Sequence, residues 1–296
     1  MIRKNKLVAF YLSLLNINNI YTNMIRLQKI NDVEVEPVAL PAAPKNILGC
    51  DLFPKLNANI FICAPKESGK TVTIKKIIDE CVDQDTHVVI FCGTIHNDAA
   101  WKAIKEDLRK RKIKFSAYSS LFTENNTNVL DILIDTLQDE GSDSEEDDDR
   151  KIPKGPIILT EEVKETKEKK KKYESPDYLI IFDDLSTELK NPSIPKLMKI
   201  HRHFRTKIII SSQSWVDTPA GIRKGNLDYV LLFQRIPEEV LQQIYQELSI
   251  PIKESTFLKL YYHATSQKYH FLYINTAGHF RRDFSSGYQL GPSGGY

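Results

Sequence analysis

The chain is poor in cysteine and lacks any long apolar run. Its four cysteines, Cys50, Cys63, Cys81 and Cys92, show no C-x-x-C spacing, which argues against a zinc site or a disulfide framework. Two of them fall in apolar strand patterns, where reduced, buried thiols of an intracellular protein belong. The apolar stretch from Leu7 to Leu15 is too short to cross a membrane. Basic residues precede it, as in a secretion signal, but Asn16, Asn18 and Asn19 follow and no small-residue cleavage site is visible. Residues 1–23 therefore read as a poorly ordered extension, with Met24 as an alternative start. Net charge is also small, +2 overall. That balance hides strong local blocks, so it decides nothing about partners.

What is present begins with 296 residues, 41% of them hydrophobic, enough for one large α/β domain with appendages. Residues 24–56 carry Pro37, Pro41, Pro44 and Pro54 and read as an extended lead-in. The apolar run Asn59–Cys63 then meets Ala64-Pro65-Lys66-Glu67-Ser68-Gly69-Lys70-Thr71, and helical periodicity follows over 72–82. Strand, loop and helix in that order are the context of a phosphate-binding P-loop. There, backbone N–H groups and a helix N-terminus face the anion. Lys70 would reach the β- and γ-phosphates and the Thr71 hydroxyl would ligate Mg²⁺. The pattern G-x-x-x-x-G-K-[ST] is met except at its first position, where Ala64 stands. The loop tolerates Ala64 if φ there is negative.

Strand and helix signals alternate thereafter: strands at 87–92 and 113–118, helices at 97–111 and 128–137. Such alternation predicts an α/β fold, a mainly parallel sheet with helices on both faces. Residues 139–172 interrupt it with an acidic block (Glu140 to Asp149) and a lysine block (Lys164 to Lys172). These read as a disordered charged insertion. The phosphate-loop domain is then expected to span 57–138 and 173–275. Tyr178 to Phe182 is an apolar strand ending in Asp183 and Asp184, the Walker B arrangement. Asp183 would hold the Mg²⁺ shell and Asp184 would polarise the attacking water as general base. The strand at 207–211 delivers Gln213 at its carboxyl end, where ligands sit in open α/β sheets. Thr218–Asn226 reads as a loop, 229–233 as a strand, 237–248 as a helix and 269–274 as a strand. From residue 276 the chain reads as a flexible tail rich in Gly, Ser and aromatics.

Taken in order, Ser68-Gly69-Lys70-Thr71, Ile180-Ile181-Phe182-Asp183-Asp184, Arg202-His203, Ile209-Ile210-Ser211-Ser212-Gln213 and the run Gly221 to Phe233 resemble the FtsK–HerA superfamily. Within it, they are similar to the genome-packaging ATPases of poxviruses, other large DNA viruses and virophages. The resemblance covers roughly Asn57 to Phe233. It implies a RecA-like P-loop domain that assembles into a homo-oligomeric ring, uses ATP and Mg²⁺, and drives double-stranded DNA into a preformed capsid. It also implies capsid or portal-vertex partners, no membrane, and action inside the host cell in a viral factory. By position, Lys70 and Thr71 would bind phosphate and metal, Asp183 the metal, Asp184 the water, and Gln213 would be the polar sensor. Arg202 and Arg223 are the matching arginines for action across a subunit boundary, with Arg205 equally near.

Other classes stay open at this point. A small-molecule kinase is opposed by Asp183–Asp184 with Gln213 and by the lack of an arginine-rich lid. A nucleotide-gated assembly scaffold is kept open by Ala64. The lysine block could touch DNA phosphates, with the acidic block shielding it when DNA is absent.

Overall fold

The computed structural model describes residues 46–142, 173–216 and 218–290. Six strands run parallel: β1 (Ala58–Cys63), β2 (His87–Cys92), β3 (Lys114–Tyr118), β4 (Tyr178–Asp183), β5 (Thr206–Ser212) and β6 (Tyr229–Phe233). They are joined at one edge by an antiparallel meander of β7 (Phe271–Asn275), β8 (His279–Arg282) and β9 (Ser286–Gly287). The order is β3-β2-β4-β5-β1-β6-β7-β8-β9 in one nine-stranded sheet. The loop-bearing β1 and the acid-bearing β4 are thus separated by β5. This is the α/β, RecA-like arrangement expected from the sequence.

Central strands are near-continuous apolar runs because both of their faces are covered. All six residues of β1 are buried, and they alternate between two cores. Ile60 and Ile62 pack with Ile74, Ile77 and Ile78 of α1 (Lys70–Cys81) and with Trp101, Ile104 and Leu108 of α2 (Ala99–Lys110). Phe61 and Cys63 face the other core. Its helices are α3 (Val129–Ser142), α4 (Ser193–Ile200), the single turn α5 (Ala220–Arg223), α6 (Glu238–Glu247) and α7 (Glu254–Ala264). Asp98 caps α2, its carboxylate accepting from the N–H groups of Ala100 and Trp101, which satisfies two otherwise unpaired donors. No helix among the described residues is long and apolar enough to cross a membrane.

Several expectations are corrected. The tail expected to be flexible from 276 supplies β8 and β9, and Phe280 is buried. The sheet's open edge at β7 offers unpaired backbone groups, and this segment pairs with them. The loop expected at 218–226 contains α5, and α7 was not foreseen. Helix α3 runs on to Ser142, into the start of the expected insertion 139–172. The rest of that insertion and the extension 1–23 lie outside the described residues. Of the lead-in 24–56, residues 46–56 are described, and 48–52 form a turn rather than an extended run. Gly49 has φ 74°, and a Cβ there would lie 2.4 Å from Cys81 Sγ, so glycine is required where the turn meets α1.

Candidate functional site

The carboxyl edge of the parallel strands gathers the chemistry. β1 ends at Cys63, and the Ala64 N–H continues the ladder by donating to Ser212 O at 3.0 Å. Ala64 is fully buried and is not among the residues with positive φ, so the missing first glycine costs the loop nothing. The left-handed turns fall instead at Glu67 (φ 60°) and Gly69 (φ 96°). The Ser68 hydroxyl donates to Pro65 O at 2.7 Å and closes the loop across its base. Gly69 caps α1, leaving the N-terminal amides of the helix pointing into the cavity, where an anion is favoured.

A parallel register puts the ends of β4 and β5 beside that loop. Asp183 is 1% exposed, and its Oδ2 accepts from Trp101 Nε1 at 3.1 Å. Lys70 Nζ lies 2.8 Å from both Asp183 Oδ1 and Asp184 Oδ1. Gln213 Nε2 donates to Asp184 Oδ1 at 3.3 Å. Asp184 turns out of the strand at φ 50°. Its carbonyl comes so close to β2's end that a Cβ on Gly93 would lie 2.8 Å from it. A cavity of about 330 Å³ opens between the loop, Val72, Asp184 and Gln213.

Charge is held tightly here. Burial alone would lower Lys70, but the carboxylates of Asp183 and Asp184 outweigh it and hold the ammonium above the ordinary lysine value. Burial works against ionisation of Asp184 too, yet the Lys70 ammonium and Gln213 amide hold its carboxyl below the usual range. Burial pushes the neighbouring Cys92 thiol up to about 11, so it stays protonated. The ammonium of Lys70 occupies the place of a cation between two carboxylates, in a cavity that Thr71 also lines. Hard oxygen donors of this kind suit Mg²⁺, which takes one or two carboxylates and completes its shell with waters and substrate phosphates.

The structure therefore brings together residues 64–71, Asp183, Asp184 and Gln213, but not the two arginines. Arg202 is exposed on a 3₁₀ turn, and its carbonyl accepts from Asn57 Nδ2 just ahead of β1. That is the amino edge, opposite the loop, because residues entering a parallel strand lie at the other end from those leaving it. Arg223 is only 8% exposed. It is ion-paired with Glu247, and its guanidinium lies 5.7 Å from the Trp215 ring centroid. The Arg223 guanidinium is thus engaged by Glu247 and Trp215 of the same chain and lies apart from the phosphate loop's residues. Arg205 pairs with Glu174 and Asp177 at 3.2 Å. Sequence reasoning missed Trp101, Gly93 and Tyr269, the last of which packs on Gly69. Trp101 had one signal, a tryptophan on the apolar stripe of an amphipathic helix, but its partner is 82 residues away.

No protein-family model and no curated protein matches the chain. Solved structures similar to it include the genome-packaging NTPase B204 of Sulfolobus turreted icosahedral virus 2 bound to ATP-γS. That match has a TM-score of 0.44 at 13% identity, over 77% of this chain and 97% of that one. The DNA-packaging ATPase B204 of Sulfolobus turreted icosahedral virus matches at TM-score 0.46 and 12% identity, over 76% and 96%. The pCW3 conjugation coupling protein TcpA matches at TM-score 0.46 and 11% identity, over 80% of this chain and 62% of that one.

Proposed function

We propose that the chain is an ATPase that moves double-stranded DNA, working as a ring of identical subunits to package a viral genome into a preformed capsid inside the host cell. The observation that carries the hydrolytic part is the Lys70 ammonium shared by Asp183 and Asp184, with Gln213 hydrogen-bonded to the second acid. The packaging part is supported by the order of motifs that resembles the FtsK–HerA superfamily.

In this reading, nucleotide phosphates enter at the loop and Lys70 exchanges its carboxylate partners for phosphate oxygens. Bound with the nucleotide, Mg²⁺ supplies positive charge that neutralises the β- and γ-phosphate oxygens. Thr71 and Asp183 would hold it, with Trp101 fixing the Asp183 carboxylate through its indole N–H. Asp184, released by Lys70, accepts a proton from the attacking water while Gln213 keeps its carboxylate aimed. Arg202, exposed at the opposite edge, remains available to a neighbouring subunit's nucleotide.

The test is steady-state ATP hydrolysis by the full chain with and without duplex DNA at two salt concentrations. Stimulation by DNA that fades with salt is expected of a protein gripping the phosphate backbone. Hydrolysis indifferent to DNA favours a kinase-like enzyme, and tight ATP binding without turnover favours an assembly scaffold; either overturns the translocase.

A further inference from the structure

Two exposed apolar side chains flank the phosphate loop. Val72, 72% exposed, follows Thr71 in the first turn of α1 and lines the cavity that holds Lys70, Asp184 and Gln213. Tyr269, 58% exposed, comes from the connection between α7 and β7. Because β7 runs antiparallel to β6, that connection returns to the carboxyl edge of the sheet, where the loop is. The Tyr269 ring lies against the cap of α1: a Cβ on Gly69 would be 3.3 Å from Tyr269 Cδ1.

The tyrosine is held there rather than draped. Its φ is 72°, a backbone conformation rare for a bulky aromatic residue. The next residues are pinned by Asp283, which accepts from the Phe271 N–H at 3.1 Å and pairs with His270 Nδ1. The Lys268 ammonium lies 4.7 Å from the ring centroid, on a side chain that is itself exposed. A flat, electron-rich ring beside a phosphate loop, 58% exposed and with a rotatable cation near it, can take a planar heterocycle.

We propose that Tyr269 is the stacking platform for the base of a nucleoside triphosphate, with Val72 supplying the adjoining apolar contact. The proposal rests on the phosphate-loop reading given under Proposed function. The incoming base displaces Lys268 from the ring, and the lysine turns to solvent. Stacking reads the π-face and not the hydrogen-bonding edge of a base, so the platform serves adenine and guanine alike.

Isothermal titration calorimetry on the full chain tests this with MgATP, MgGTP and magnesium tripolyphosphate as probes, using wild type, Tyr269→Ala and Tyr269→Phe. The expected result is that Tyr269→Ala weakens ATP and GTP by about tenfold each. Tripolyphosphate binding should be unchanged, and Tyr269→Phe should match wild type throughout. If Tyr269→Ala weakens all three probes equally, the ring only props Gly69 and the proposal fails. It fails as well if ATP and GTP are unaffected, or if Tyr269→Phe loses as much as Tyr269→Ala. Wild type that binds none of the probes overturns the phosphate-loop reading itself, and this inference with it.

Discussion

Lys70 and Lys207 stand at opposite edges of the same sheet, and their surroundings are opposite too. Lys70, at the carboxyl edge, has two carboxylates at 2.8 Å and is held above the ordinary lysine value. Lys207, the second residue of β5, lies near the amino edge with no exposed surface at all. Its Nζ lies 5.5 Å from the Phe53 ring centroid with the Cys81 thiol nearby, and burial drives its pKa down. It makes no ion pair among the described residues. The surroundings of Lys70 keep its charge; those of Lys207 suppress it. Exposed ion pairs such as Arg205 with Glu174 and Asp177 also stand at the amino edge. What marks the carboxyl edge as a place where something charged is handled is therefore a largely buried ammonium held by two carboxylates at the rim of a cavity.

Breaking the paired cations should cost most. Arg223→Ala leaves Glu247, itself 9% exposed at the side chain, buried without its partner. A loss of about 3–5 kcal/mol is expected, seen as a fall in the urea midpoint. Lys70→Met removes the cation shared by Asp183 and Asp184 and should cost about 3 kcal/mol in the nucleotide-free protein. The Lys70 contribution has a definite pH sense. A raised pKa means stability that is complete below the unfolded value of 10.5 and lost as pH climbs through the folded one. Asp184, whose pKa is lowered, contributes stability present above 3.8 and lost as pH falls.

Lys207 should behave in reverse. Its depressed pKa makes the unfolded chain bind more protons than the folded one, so wild-type stability rises with pH up to about 10.5. Lys207→Met should therefore stabilise the protein at pH 7 by about 1–2 kcal/mol. The gap to wild type should close as pH approaches 10.5, and a gap constant with pH would contradict a buried, suppressed charge. The smallest effect belongs to Ala64→Gly. With φ at position 64 outside the left-handed region, restoring the motif's glycine should cost below about 1 kcal/mol. Nucleotide affinity should not improve.

The same contrast explains what the sequence could reveal. The parallel strands were readable because burial on both faces leaves continuous apolar runs such as Tyr229–Phe233. The phosphate loop and the Asp183–Asp184 pair were readable because their chemistry is local in sequence. The amino edge was not: Lys207 looks like a strand-start lysine, and nothing nearby in sequence says that Phe53 covers it. Arg223 looked free because its partner, Glu247, sits on a helix 24 residues away. β8 escaped because His279-Phe280-Arg281-Arg282 offers a single apolar residue, and its pairing with β7 supplies the order instead. Tyr269 was read as the start of a strand, while its φ of 72° places it in the turn that reaches Gly69.

The measurement to make is turnover and MgATP affinity, side by side, for wild type and Asp184→Asn. If Asp184 activates water, the variant keeps MgATP affinity near wild type while turnover falls about 10²–10⁴-fold. Wild-type turnover in Asp184→Asn would contradict the account, because the charge gathered at the carboxyl edge would then serve binding alone.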